Sequence, residues 1–287
     1  MKSLRYAIEG ILVSFLIGLF RRLPVDTASN LGGSIARHIG PALSVNRKAL
    51  RNIRAAFPKK SEAEYKQIIY GMWDNIGRTF AEYPHLEKIA AERITSVGDE
   101  HIRHILDSGG PSILFTGHLA NWEVAGAYAY TLGMQLDLIY RSPNNPNVEG
   151  ILQECRSMGE KIKTYPKSSQ GMRDVMSALK AGRHIGILID QKYNQGMAMP
   201  FFGRTAMTSP AYVQLAQRFD CPLHPARIER KNGANFHITI FPPMHIKDRA
   251  VEDVITESHM MLEEWITERP DQWLWLHNRW KSKENGV

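Results

Sequence analysis

A carboxylate bonded to one imidazole nitrogen fixes the tautomer of a histidine and leaves its other nitrogen free to take a proton. A histidine five residues before an acid occurs three times in these 287 residues, as His118/Glu123, His224/Glu229 and His259/Glu264. Eleven histidines and 29 acidic residues would give about one such pair by chance, so the surroundings must decide. On a helix, residues five apart point about 140° away from each other, which separates His259 from Glu264 in the amphipathic run 250–268. In a strand an odd offset sends two side chains to opposite faces, which separates His224 from Glu229 in "LHPARIE". His118 differs. It follows the apolar run "SILFTG", and Asn121 can cap a helix beginning "WEVAGAYAYTLG". A turn and a first helical turn can bring His118 and Glu123 together where a regular helix cannot, and the positive end of the helix favours an ionised Glu123.

The elements that must hold this pair show as a change of texture along the chain. Residues 26–95 read as helical. "VNRKALRNIRAAFPKK" sets Arg47, Arg51 and Arg54 on one face before Pro58 ends the helix, and Ser61 with Glu64 forms a capping-box pattern for the next. From residue 111, short apolar runs at 112–116, 136–140, 184–189, 223–229 and 236–241 alternate with helical patterns at 121–132, 146–159, 169–181 and 209–219. This predicts an α/β fold, a mixed and largely parallel sheet flanked by helices, with the final strand pair as an antiparallel edge. Sites in such sheets form beyond the carboxyl ends of the strands, which is where His118 falls. A helical region, 24–110, and an α/β body, 111–287, are expected to form one domain behind an N-terminal segment, 1–23.

That segment carries "YAIEGILVSFLIGLF", apolar apart from Glu9, Ser14 and two glycines, with Lys2 and Arg5 on one side and Arg21-Arg22 on the other. A helix from Leu4 to Leu23 would measure about 30 Å, the thickness of a bilayer core, and Arg5 and Glu9 belong at its interface. No small-residue cleavage site follows, which argues against a signal peptide. The expectation is a membrane-anchoring helix, either spanning the bilayer or lying in its interface. The net charge of +7 suits an anionic membrane surface or an acidic or phosphorylated partner. No nucleic-acid-binding motif is present. Cys155 and Cys221 form neither a disulfide framework nor a metal-ligand spacing, which points to a reducing compartment.

"TGHLANWE" resembles the His-x4-acid motif of glycerolipid acyltransferases, specifically the bacterial lipid A biosynthesis acyltransferases of the lauroyl/myristoyl type. "NRKALRNIRAAFP", "YRSPNNP", "IDQK", "PFFGRTAMTSPA" and "DQWLWLHNRWK" agree with that family in the same order, from about residue 40 almost to the C-terminus. Two departures stand out: Gln191 and Lys192 follow the aspartate where the family carries a second acid, and Ser142 separates Arg141 from Pro143. The resemblance implies transfer of a fatty acyl chain from an acyl carrier protein thioester to a hydroxyl of an anionic lipid A precursor, at the cytoplasmic face of the inner membrane. The chain would ride on the carrier's phosphopantetheine, and no cofactor or metal of the enzyme's own is expected. Relatives sharing the motif acylate other lipids. Another membrane glycolipid or a lysophospholipid is therefore the alternative acceptor, and a catalytically silent membrane-binding protein is the alternative class.

An acyl thioester is already activated, so the reaction needs a base for the acceptor hydroxyl and a stabiliser for the oxyanion, without a protein nucleophile. His118 is expected to be that base and Glu123 to orient it. "GGSIA" at 32–36 lacks the preceding strand of a nucleophile elbow. Asp190 ends the strand at 184–189, on the same carboxyl edge as His118. Arg141 follows the strand at 136–140, and Arg156 lies where the family carries an arginine. These three are expected to bind substrate, the arginines through phosphate or the developing oxyanion. "PFFGR" is expected to form a turn and to line the acyl channel.

Overall fold

Apolar periodicity sets the order of elements in the computed structural model, which describes residues 2–280. Met1 and residues 281–287, including the last residue of the 271–281 stretch, lie outside the described residues. Five helices come first: α1 (Lys2–Arg22), α2 (Val25–Ile39), α3 (Asn46–Ala56), α4 (Glu62–Glu82) and α5 (Leu86–Glu92). Pro24, which fixes its own φ and carries no N–H, breaks α1 from α2 and caps the latter. Ser61 and Glu64 close the predicted capping box at the start of α4. The helices α2 and α4 cross at Gly32 and Gly77, where a Cβ on Gly32 would lie 2.4 Å from the Gly77 carbonyl oxygen. Only glycine fits at that crossing.

The remaining chain builds a seven-stranded sheet in the order β1-β9-β8-β2-β5-β3-β4. Its strands are β1 (Ile94–Val97), β2 (Ser112–Thr116), β3 (Leu136–Tyr140), β4 (Thr164–Pro166), β5 (His184–Leu188), β8 (Leu223–Asn232) and β9 (Asn235–Ile240). Every neighbouring pair is parallel except the β8/β9 hairpin. Helices α6 (Asp99–Ser108), α7 (Val124–Thr131), α8 (Pro146–Ser157), α9 (Ser169–Lys180), α10 (Ala211–Arg218) and α11 (Val251–Glu268) cover it. The central strand β2 is buried along its whole length, as a parallel strand covered on both faces must be. On one face Leu114, Leu136, Ile228 and Ile238 meet α5, α6 and α7; on the other Ile113, Phe115 and Ile185 meet α9, α10 and α11.

The α/β class and the strand–helix alternation agree with the sequence reading, and the differences are local. The helical region expected to reach residue 110 contains β1. Four residues of weak alternation carry little signal, but β1 pairs in parallel with β9 and takes the sheet edge expected for the β8/β9 hairpin. A second small sheet, β6 (Met197–Phe201) with β7 (Arg204–Thr208), is an antiparallel hairpin. Its turn is Phe202-Gly203, with φ of 51° and 65°, the positive pair that tight two-residue hairpins require. The Phe202 N–H is held by the Glu263 carboxylate at 2.7 Å. Phe201 is completely buried against Trp273 and Trp280, and none of the five residues of "PFFGR", expected to line an acyl channel, lines the cavity described below.

The helix α1 lies along α8. Near its start, the Asn145 amide donates to the Tyr6 carbonyl at 3.0 Å and to the Glu9 carboxylate at 2.9 Å; near its end, Arg21 reaches Glu154 at 3.4 Å. The opposite side, Leu4, Ile8, Ile11, Leu12 and Phe15, is more than half exposed throughout.

Candidate active site

Parallel pairing brings the key residues together. The strands β2 and β5 run side by side with Thr116 opposite Leu188, so the residues leaving their carboxyl ends, His118 and Asp190, emerge as neighbours. The His118 Nδ1–H donates to Asp190 Oδ1 at 2.6 Å, and the His118 backbone N–H donates to Oδ2 at 2.7 Å. The Trp273 indole N–H donates to the same Oδ2 at 2.6 Å. Asp190 is fully buried. Burial alone would raise its pKa; the His118 bonds, with His277 nearby, outweigh that and hold it below the usual carboxylate range. An ionised Asp190 therefore fixes the proton of His118 on Nδ1. The other nitrogen, Nε2, keeps its lone pair and accepts from the Gln191 amide at 3.1 Å.

Glu123 stands elsewhere. Its carboxylate accepts from Arg156 Nε at 2.6 Å and Nη2 at 2.7 Å, from the Tyr83 hydroxyl at 2.7 Å and from the Trp122 indole at 3.0 Å. Burial pushes its pKa up, and the paired Arg156 more than reverses this. The carboxylate bonded to His118 is thus that of Asp190, and Glu123, expected in that place, is committed to Arg156. The physical reason is rotation. Glu123 precedes the first residue of α7, which turns it towards α8 and Tyr83 rather than towards the end of β5. Arg156 is engaged in the same pair, and only Arg141 of the two arginines is left without an ion-pair partner among the described residues.

A cavity of about 480 Å³ reaches the His118 ring. Polar groups gather on part of its wall: Arg141, Lys167, Gln191, Asn144 and His118 itself. Much of the remainder is apolar, including Leu114, Ala125, Leu132, Leu138, Ile228 and Ile238, while the Glu123–Arg156 pair, Tyr83, Tyr128 and His277 also reach it. Gly186 makes room for it, since a Cβ there would meet Leu138 Cδ2 at 2.8 Å. Such a cavity suits a long unbranched apolar group with one polar end.

The sequence profile of bacterial lipid A biosynthesis acyltransferases matches residues 1–282. The chain belongs to that family. It is an acyltransferase. Among its relatives, the lipid A biosynthesis lauroyltransferase of Escherichia coli strain K12 is 26% identical over 252 residues, covering 83% of this chain and 79% of the relative. The palmitoleoyltransferase of the same strain and a lipid A biosynthesis acyltransferase of Shigella flexneri are each 21% identical, covering 94% of this chain and 90% of theirs.

Three residues of this lipid A acyltransferase site had no assigned role in the sequence: Trp273, His277 and Tyr83. The "DQWLWLHNRWK" stretch signalled that the first two matter, but only tertiary structure shows Trp273 on Asp190 and His277 Nε2 meeting the Asp190 carbonyl at 3.2 Å. The histidines of the other two pairs are interior. His224 Nδ1–H donates to the Phe241 carbonyl, and His259 Nδ1–H donates to the Pro200 carbonyl. The two thiols are buried and inert, with Cys221 pushed up to about 12 by desolvation.

Proposed function

We propose that this enzyme transfers a fatty acyl chain from an acyl carrier protein thioester to a hydroxyl of a lipid A precursor, with His118 as general base. The observation that carries this reading is the largely apolar cavity that reaches a histidine whose Nε2 keeps its lone pair, met by the displaceable Gln191 amide. The family supports a lipid A precursor as acceptor, and the net charge of +7 suits both an acidic carrier and anionic lipid. In the reaction the acceptor hydroxyl displaces the Gln191 amide from Nε2 and gives up its proton there. Its oxygen attacks the thioester carbonyl carbon, and the tetrahedral intermediate collapses with loss of the carrier's thiolate. His118 returns the proton to that sulfur. Asp190 stabilises the transient imidazolium and keeps the ring in place. The ion pair of Glu123 and Arg156 fixes the wall between α7 and α8. No thiol nucleophile is involved, because buried cysteines with raised pKa values are poorly reactive.

The anchoring helix completes the reading. Contacts at both ends of α1 tie it to polar residues of α8, and carrying those residues into hydrocarbon would be costly. The helix accordingly lies in the interface of the inner membrane's cytoplasmic leaflet, its exposed aliphatic side in lipid, rather than crossing. The test of function is incubation of the membrane-bound protein with acyl carrier protein thioesters and a tetra-acylated lipid A precursor, read by mass spectrometry. A mass gain of one acyl chain, absent for His118→Ala, is expected; no transfer from any carrier thioester would overturn the assignment.

A further inference from the structure

Two cations on the cavity wall have no role in the chemistry above. Arg141 is the first residue beyond β3 and Lys167 the first beyond β4. These strands are parallel neighbours with Tyr140 opposite Pro166, and the Lys167 backbone N–H donates to the Tyr140 carbonyl at 2.8 Å. The two side chains therefore start from adjacent positions on one sheet edge, and both line the cavity that reaches His118. Neither forms an ion pair among the described residues. The carboxylates nearest the reacting nitrogen are already taken, Asp190 by His118 and Glu123 by Arg156.

Lys167 stands with its ammonium 5.0 Å from the centre of the Tyr193 ring. Desolvation there, and then the Arg141 charge, lower its pKa. Like charges repel, so holding two cations side by side costs free energy until an anion sits between them. The next element adds to the field: α9 begins at Ser169, after its cap Ser168, so its positive end lies two residues from Lys167.

We propose that Arg141 and Lys167 form a phosphate-binding pair at the cavity wall. This rests on the acyl-transfer reading above and adds to it the group that fixes the substrate's position. Arginine supplies a planar fork and lysine a point charge, a combination suited to a tetrahedral dianion or a phosphodiester. Both substrates of the proposed reaction carry phosphate: the donor in its phosphopantetheine arm and the acceptor on its sugars. The pair holds one of these while the reacting atoms meet at His118.

Equilibrium binding separates the two sources without needing turnover. Four ligands would be measured in detergent micelles: a non-hydrolysable acyl-phosphopantetheine and its dephosphorylated form, and the bisphosphorylated acceptor and its phosphate-free form. The wild type should prefer the phosphorylated member of one pair, and Arg141→Gln or Lys167→Gln should abolish that preference with a loss of about tenfold each. Lys167→Arg should keep most of it. The pair in which the preference disappears names the source. Melting curves should match the wild type, since neither side chain is held in an ion pair among the described residues. Equal binding of phosphorylated and dephosphorylated ligands by the wild type, or a preference that survives both substitutions, would overturn the proposal. A wild type that binds phosphate through this pair but transfers no acyl chain would instead condemn the acyl-transfer reading.

Discussion

The acid at His118 and the acid at Arg156 perform different work, and substitution separates them. His118→Ala and Asp190→Asn should each lower kcat by about 10²–10⁴ with little change in melting temperature, the first by removing the base and the second by releasing its tautomer. Glu123→Gln should act on stability. It leaves the Arg156 guanidinium buried without its counter-charge, which costs about 3–5 kcal/mol in a denaturant titration. Full turnover by a folded Asp190→Asn protein would return the orienting role to Glu123. At this scale the sequence disclosed His118, Glu123, Asp190, Arg141 and Arg156, but not Tyr83, Lys167 or His277, and not which partner each takes. Partner choice depends on the angle at which a side chain leaves a turn. For Asp190 it also depends on an indole 83 residues further along the chain, and no local pattern encodes either.

Among the elements, β5 and α1 yield the clearest tests. Gly186 in β5 faces the aliphatic part of the cavity, so Gly186→Val would push on Leu138 and narrow it; overpacking of this kind costs about 1–3 kcal/mol. The variant should shift acyl preference towards shorter chains, read from product masses in a competition between carrier thioesters of different length. An unchanged product distribution would place the acyl chain elsewhere. For α1, single cysteines at Ser3 and at Arg22, in a protein whose own two cysteines are replaced by serine, should both react with an impermeant maleimide added outside sealed vesicles to which the enzyme is bound. Protection of Ser3→Cys alone would show that the helix crosses. Its apolar character was plain from composition, whereas its course along α8 depends on Asn145 and Glu154. Their contact with it could be seen only in the fold. The strands β1 and β4 went unread for a related reason: runs of three or four residues owe their form to the neighbour they pair with.

For the molecule as a whole, buried histidines set an acid limit on stability. His259 is enclosed with Arg279, and its pKa is lowered to about 4 from 6.5 by burial first and by that arginine second. Between those values the unfolded chain takes up a proton that the folded chain refuses, so this contribution to stability is complete above about pH 6.5 and declines as the pH falls towards 4. The melting temperature should drop across that window, and His259→Gln, though less stable at neutral pH, should show a shallower slope. An equal slope in both proteins would mean that other groups dominate.

The bond from Trp273 to Asp190 also has a consequence in time. The ribosome releases α1 first, then the segment bearing His118, then Asp190, and the tryptophan long afterwards. A nascent chain can hold its imidazole and carboxylate while the indole is still missing and the buried acid lacks one of its three donors. The buried acid thus gains its third donor only after Trp273 has been made, 83 residues later.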